Sequence, residues 1–112
     1  MHQKQILLDK SLHIENVVEA QQIHSSEKFA IPTASEIDCL KPGDMARLFF
    51  VFDFATENNC RAERMWVEIF EIGQDNFKGY LTNQPICIKA LNVGDVIEFA
   101  RETIATILIE QK

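Results

Sequence analysis

The residue types that could carry chemistry are present in this chain, but few stand at spacings that let them act together. Its histidines are His2, His13 and His24, with no His-x-x-x-His pair. On one helix His13 and His24 return to nearly the same azimuth but stand about 16 Å apart along the axis, too far to share a metal. Its cysteines, Cys39, Cys60 and Cys87, form no Cys-x-x-Cys spacing, so no metal site is expected. Cys60 is the one thiol with a reactive reading, because it lies in a polar loop near Arg61 and Arg64, and nearby cations favour a thiolate. No local histidine or oxyanion-hole motif accompanies it, and an inert loop thiol is the simpler account. Glycines 43, 73, 79 and 94 are dispersed with no phosphate-cradling run, so no nucleotide or other cofactor is expected. Glu68 and Glu71 fall on opposite faces of a regular strand and cannot face one another as general acid and base.

The side chains that can converge are Arg64, Trp66 and Glu68, which alternate onto one face of a strand, together with Asn83 and Pro85 from a turn beyond its hairpin partner. One aromatic, one arginine and one amide have the composition of an interface anchor. Each also has a plainer role: Trp66 at the edge of a core, Glu68 on a solvated face, and Asn83 serving its own turn.

The elements that must position these residues are legible in the alternation. Leu48, Phe50, Phe52 and Phe54 fall on one face of a strand over residues 46–54 and Phe49 and Val51 on the other, so both faces are apolar and the strand is central or covered. A second strand over 64–72 turns at Gly73-Gln-Asp-Asn76 into a hairpin partner over 77–82. Short strands are expected over 86–88, 96–99 and 103–109. Leu40-Lys-Pro-Gly-Asp44 and Leu91-Asn-Val-Gly-Asp95 repeat one turn pattern, with Gly43 and Gly94 at positive φ and Asp44 and Asp95 leading into strands. Before these, Ser11 can cap a helix over about 12–24, Thr33-x-x-Glu36 has capping-box spacing for a short helix to about Leu40, and Ile6-Leu7-Leu8 is too short for more than an edge strand or a packing contact.

The sum is an α+β fold: a small, strongly bent antiparallel sheet or partly open barrel of five to six strands, preceded by one or two short N-terminal helices. Residues 1–112 form a single domain, helical over 1–40 and strand-rich over 41–112; a chain of 112 residues that is 46% hydrophobic can bury one core. A net charge of −6 and a pI near 5.0 argue against nucleic acid or an anionic membrane as partner and suit a basic protein partner. Three cysteines without disulfide or export signals point to free thiols in a reducing cytoplasm.

Phe29-Ala-Ile-Pro-Thr33, Leu40-Lys-Pro-Gly-Asp44, Glu63-Arg-Met-Trp-Val-Glu68, Gly79-Tyr-Leu-Thr-Asn83 with Pro85, and Leu91-Asn-Val-Gly-Asp-Val-Ile-Glu-Phe99 together resemble small bacterial proteins of domain-of-unknown-function family 2314. The resemblance covers roughly residues 16–104. Similar proteins often carry an Asp after the Asn and a His before the last Ile, where this chain has Gln84 and Thr103. The resemblance implies no established reaction; by analogy it implies an immunity-like role in bacterial conflict. Two functional expectations follow. The first is a noncatalytic protein-binding module acting through Arg64, Trp66, Glu68, Asn83 and Pro85. The alternative is a small-ligand-binding or minor hydrolytic domain with a pocket between helix and sheet, using Cys60, Arg64 or Asn83.

Overall fold

The alternation over residues 45–52 decides the architecture. Every second side chain of that strand, from Ala46 through Leu48 and Phe50 to Phe52, is buried, while Met45, Arg47, Phe49 and Val51 are half-buried on the other face. The computed structural model describes residues 5–8, 12–19, 31–52, 62–88 and 90–109. Its elements are β1 (Leu12–Ile14), α1 (Ala34–Asp38), β2 (Met45–Phe52), β3 (Ala62–Ile72), β4 (Asn76–Leu81), β5 (Val96–Ala100), a single 3-10 turn (Arg101–Thr103) and β6 (Thr106–Leu108).

The strands make one nearly closed antiparallel sheet in the order β1-β2-β3-β4-β5. β2 is its hub. One edge pairs with β3 from Met45↔Glu68 to Val51↔Ala62, and the other is divided between β6, opposite Met45–Arg47, and β1, opposite Phe50–Phe52. At the far side a lone parallel bridge, Gln5↔Val96, lays residues 5–8 along β5, so Ile6-Leu7-Leu8 is a packing contact, as its length suggests. The interior is one apolar cluster containing Phe50, Phe52, Val67, Ile69, Leu81 and Phe99, all residues the alternation assigns inward. Among described residues between Leu48 and Leu81 there is no helix.

Three local expectations are corrected. Residues 12–14 are a strand, not the start of a helix: Leu12 and Ile14 pack toward the core, exposed His13 points away, and helical residues begin only at Val17, after Asn16, whose Oδ1 accepts from Glu19 N at 3.0 Å. Asn16 therefore does the capping assigned to Ser11, and the N-terminal 40 residues are not simply helical. Residues 86–88 are not a strand, because Ile86 N and Cys87 N donate to the Glu63 carboxylate at 2.6 and 3.0 Å rather than to a neighbouring ladder. Finally, the register shifts between Ile69 and Glu71, so Glu68 faces Tyr80 while Glu71 faces Lys78. The extra residue, Phe70, resets the phase of β3 and brings Glu68 and Glu71 onto the same outer face, where a regular strand separates them.

The two Gly-Asp turns are alike in detail. In each, the Asp carboxylate accepts from the amide three residues earlier, Lys41 N to Asp44 and Asn92 N to Asp95, both at 2.9 Å. In each, the glycine sits at positive φ, 101° for Gly43 and 93° for Gly94, and donates to a strand carbonyl, Ile69 O or Leu81 O, at 2.8 Å. The likeness extends upstream, since Leu40 N bonds Ile37 O and Leu91 N bonds Ile88 O, with all four apolar residues buried. α1 itself carries the expected capping box between Thr33 and Glu36.

The expectation of three free thiols is also corrected. Cys39 is a free, exposed thiol, but Cys87 is disulfide-bonded. Cys60 lies outside the described residues.

Candidate functional site

On the outer face of β2 and β3, cations and rings alternate in both directions. Arg47 stands opposite Trp66, and Phe49 stands opposite Arg64. The Arg47 guanidinium lies 5.9 Å from the centre of the Trp66 ring and that of Arg64 lies 5.0 Å from the centre of Phe49, each within range of the attraction between a cation and the negative face of an aromatic ring. Among the described residues neither guanidinium has an ion pair; those present are Glu71 with Lys78 at 3.7 Å and Asp38 with Arg101 at 2.8 Å. Next to this quartet, on the same face, stand Met45 and Leu108, paired across β2 and β6, and Glu68, paired with Met45 and Tyr80. Beyond them Tyr80 stacks on the bulged Phe70, ring centres 4.2 Å apart.

The expected site residues divide. Arg64 is exposed and Trp66 half-buried on the quartet, and Glu68 borders it. Asn83 is not a free recognition amide: its Oδ1 accepts from Trp66 N at 2.8 Å, extending the β3–β4 ladder past Leu81 with a side chain, while Thr82 bonds Trp66 O. Pro85 is buried and presents nothing to a partner. Gly43, Asp44, Gly94 and Asp95 are the structural turns expected of them.

Three residues were missed by reading strands one at a time. Arg47 and Phe49 join the face only through the β2–β3 register, which no single strand reveals. Glu63 pins the 82–88 segment with both carboxylate oxygens. Its signal was its place at the head of the Glu63-Arg-Met-Trp-Val-Glu68 run, but spacing alone does not say which amides a carboxylate will take.

Elsewhere, an open groove of about 330 Å³ is lined by Gln5–Leu8, Asn76 and residues 98–100. It lies between the N-terminal segment and the β4–β5 strands, not between a helix and the sheet. Its one carboxylate, Glu98, already accepts from Gln5 Nε2 and Asn76 Nδ2 at 3.1 and 3.3 Å. Among the described residues no His, Cys, Asp and Glu cluster could hold a metal ion, and no helix is long and apolar enough to cross a membrane.

With this geometry the comparison with known proteins is decisive on one point. The model of a family described as an uncharacterized protein conserved in bacteria, domain-of-unknown-function family 2314, matches residues 9–111. The chain belongs to that family. No curated protein and no solved structure matches it. The runs that carry the family resemblance map largely onto scaffold in this member of family 2314: Glu63 and Asn83 hold the 82–88 segment to β3, and the Gly-Asp turns start β2 and β5.

Proposed function

We propose that this chain is a noncatalytic protein-binding module that works through the outer face of β2 and β3. The observation that carries the reading is the quartet of Arg47, Phe49, Arg64 and Trp66: two cations without ion pairs among the described residues, resting on rings, on a face bordered by the exposed apolar Leu108. Trp and Arg are the residues most enriched where binding energy concentrates, and a ring beneath a guanidinium holds the charged head in place before a partner arrives. The alternative, a ligand-binding or hydrolytic pocket, draws less support among the described residues, because the groove there is open, its carboxylate is engaged, and the Asn83 amide oxygen is held by the backbone of Trp66. An immunity-like role is one form such a module can take. A cytoplasmic location loses its ground with the Cys87 disulfide and is not proposed.

The test is a photo-crosslinking amino acid placed at Thr106, exposed and opposite Arg47, and separately at exposed Glu102 on the 3-10 turn. In native bacterial lysate the Thr106 position is expected to give a discrete protein adduct that Arg64→Ala abolishes at unchanged thermal stability. Adducts from Glu102 alone, or a Thr106 adduct indifferent to Arg64→Ala, would place binding elsewhere.

A further inference from the structure

Resting on that reading, we infer that the quartet receives an extended acidic segment of a protein, with carboxylates at alternate positions and an apolar side chain two further on. This is opposite in sign to the basic partner that a net charge of −6 suggests.

The charge of the face is the first ground. The chain has seventeen acidic residues, yet among the described residues none ion-pairs with Arg47 or Arg64. Among the described residues, the carboxylates that share the outer face are committed or turned elsewhere: Glu71 to Lys78, Glu98 to Gln5 and Asn76, and Glu68 sits between Met45 and Tyr80 without reaching Arg47. A guanidinium lying over a ring still offers its N–H fork at its edges, and that fork matches a carboxylate in two-point geometry.

Spacing is the second ground. Arg47 pairs with Trp66 and Phe49 with Arg64, so the two arginines are diagonal neighbours. The next diagonal step, from Arg47 across to β6, reaches Leu108, because Arg47 faces Thr106 and Met45 faces Leu108. Diagonal neighbours in a sheet stand roughly 7–8 Å apart. An extended chain places alternate side chains about 6.6 Å apart on one side. The line Arg64, Arg47, Leu108 therefore reads as receptors for acidic, acidic and apolar side chains at positions i, i+2 and i+4 of one strand-like segment, with Leu108, 59% exposed, taking the last.

A single-stranded nucleic acid also carries regularly spaced anions, but it binds such faces by stacking bases on open rings. Here guanidiniums already occupy the faces of Trp66 and Phe49, and Glu68 and Glu71 nearby repel a long polyanion more than a short segment. The protein segment is the better fit.

Trp66 is the only tryptophan, so its fluorescence reports this site alone. The probe is an acetylated, amidated peptide with Glu at positions 1 and 3 and Leu at position 5, serine between, titrated into the full chain with amide chemical shifts followed in parallel. A saturable change is expected below about 1 mM, weakening with salt as exposed charge pairs do. Arg64→Gln should weaken it at least tenfold and Arg64→Lys less, and the peptide with both Glu replaced by Gln should bind at least tenfold more weakly than the parent. The inference is overturned if no saturable change occurs, if the Gln peptide binds as well, or if ten-nucleotide oligothymidylate binds more tightly than the peptide. A Thr106 adduct that persists while the peptide fails to compete for it leaves the binding face standing and removes only the acidic ligand.

Discussion

Gly94 and Gly79 are glycines for different reasons, and alanine separates them. At Gly94, φ is +93° and an added Cβ meets nothing within 4 Å, so Gly94→Ala carries backbone strain alone, on the order of 1–2 kcal/mol. At Gly79 the added Cβ meets Glu68 O at 2.9 Å and the Val67 Cβ at 3.1 Å, so β3 must shift, and the loss should exceed that at Gly94. Urea midpoints of the two variants check the order. Asn83 gives a sharper residue-scale contrast: Asn83→Ala leaves the part-buried Trp66 N–H without its acceptor and should cost about 1–3 kcal/mol, whereas Asn83→Asp keeps an oxygen there and should cost less. Equal melting temperatures for the two would show that the amide oxygen does not hold β3. The turns were legible because a short run names its own geometry: Pro42 or Asn92 ahead of a glycine and an aspartate. Asn83 and Glu63 were not, because what they hold is seventeen or more residues away in the chain and the sequence names the accepting group, not the address of its donor.

At the scale of elements, β2 and the β3–β4 hairpin were readable because strict alternation has only one way to bury Leu48, Phe50 and Phe52, and the Thr33–Glu36 box announces α1. Where the reading failed, a competing group had taken over. Residues 12–14 are too few for period two to be told from a helical face, and the bulge at Phe70 changes phase with no glycine to mark it. Phe50→Ala should cost about 3–5 kcal/mol, since the ring is wholly buried. Glu63→Ala should act differently, releasing the 82–88 segment while the sheet persists. Hydrogen exchange is the measure: the Ile86 and Cys87 amides should lose protection far more than those of β3, and protection unchanged at both would mean that the carboxylate is not what orders the segment.

For the whole molecule, one apolar cluster and a nearly closed sheet came through from composition and strand count, but the thiols did not: spacing in sequence says nothing of which sulfurs the fold brings together. Denatured without reductant, the chain should offer fewer than three thiols to a maleimide by intact mass, and three after reduction. Three before reduction would remove the bond at Cys87. Partner binding belongs to this scale too, because the outer face is complete only when β2, β3 and β6 are side by side. That dependence has a consequence during synthesis. The ribosome releases β2 early, and the stretch of its edge from Met45 to Arg47 then waits, with amides and carbonyls unmatched, until Thr106–Leu108 have been translated. The nascent chain thus carries a bare strand edge throughout the synthesis of β3, β4 and β5, and a message truncated before the Thr106 codon yields a polypeptide whose hub strand is open to any other chain that can lie along it.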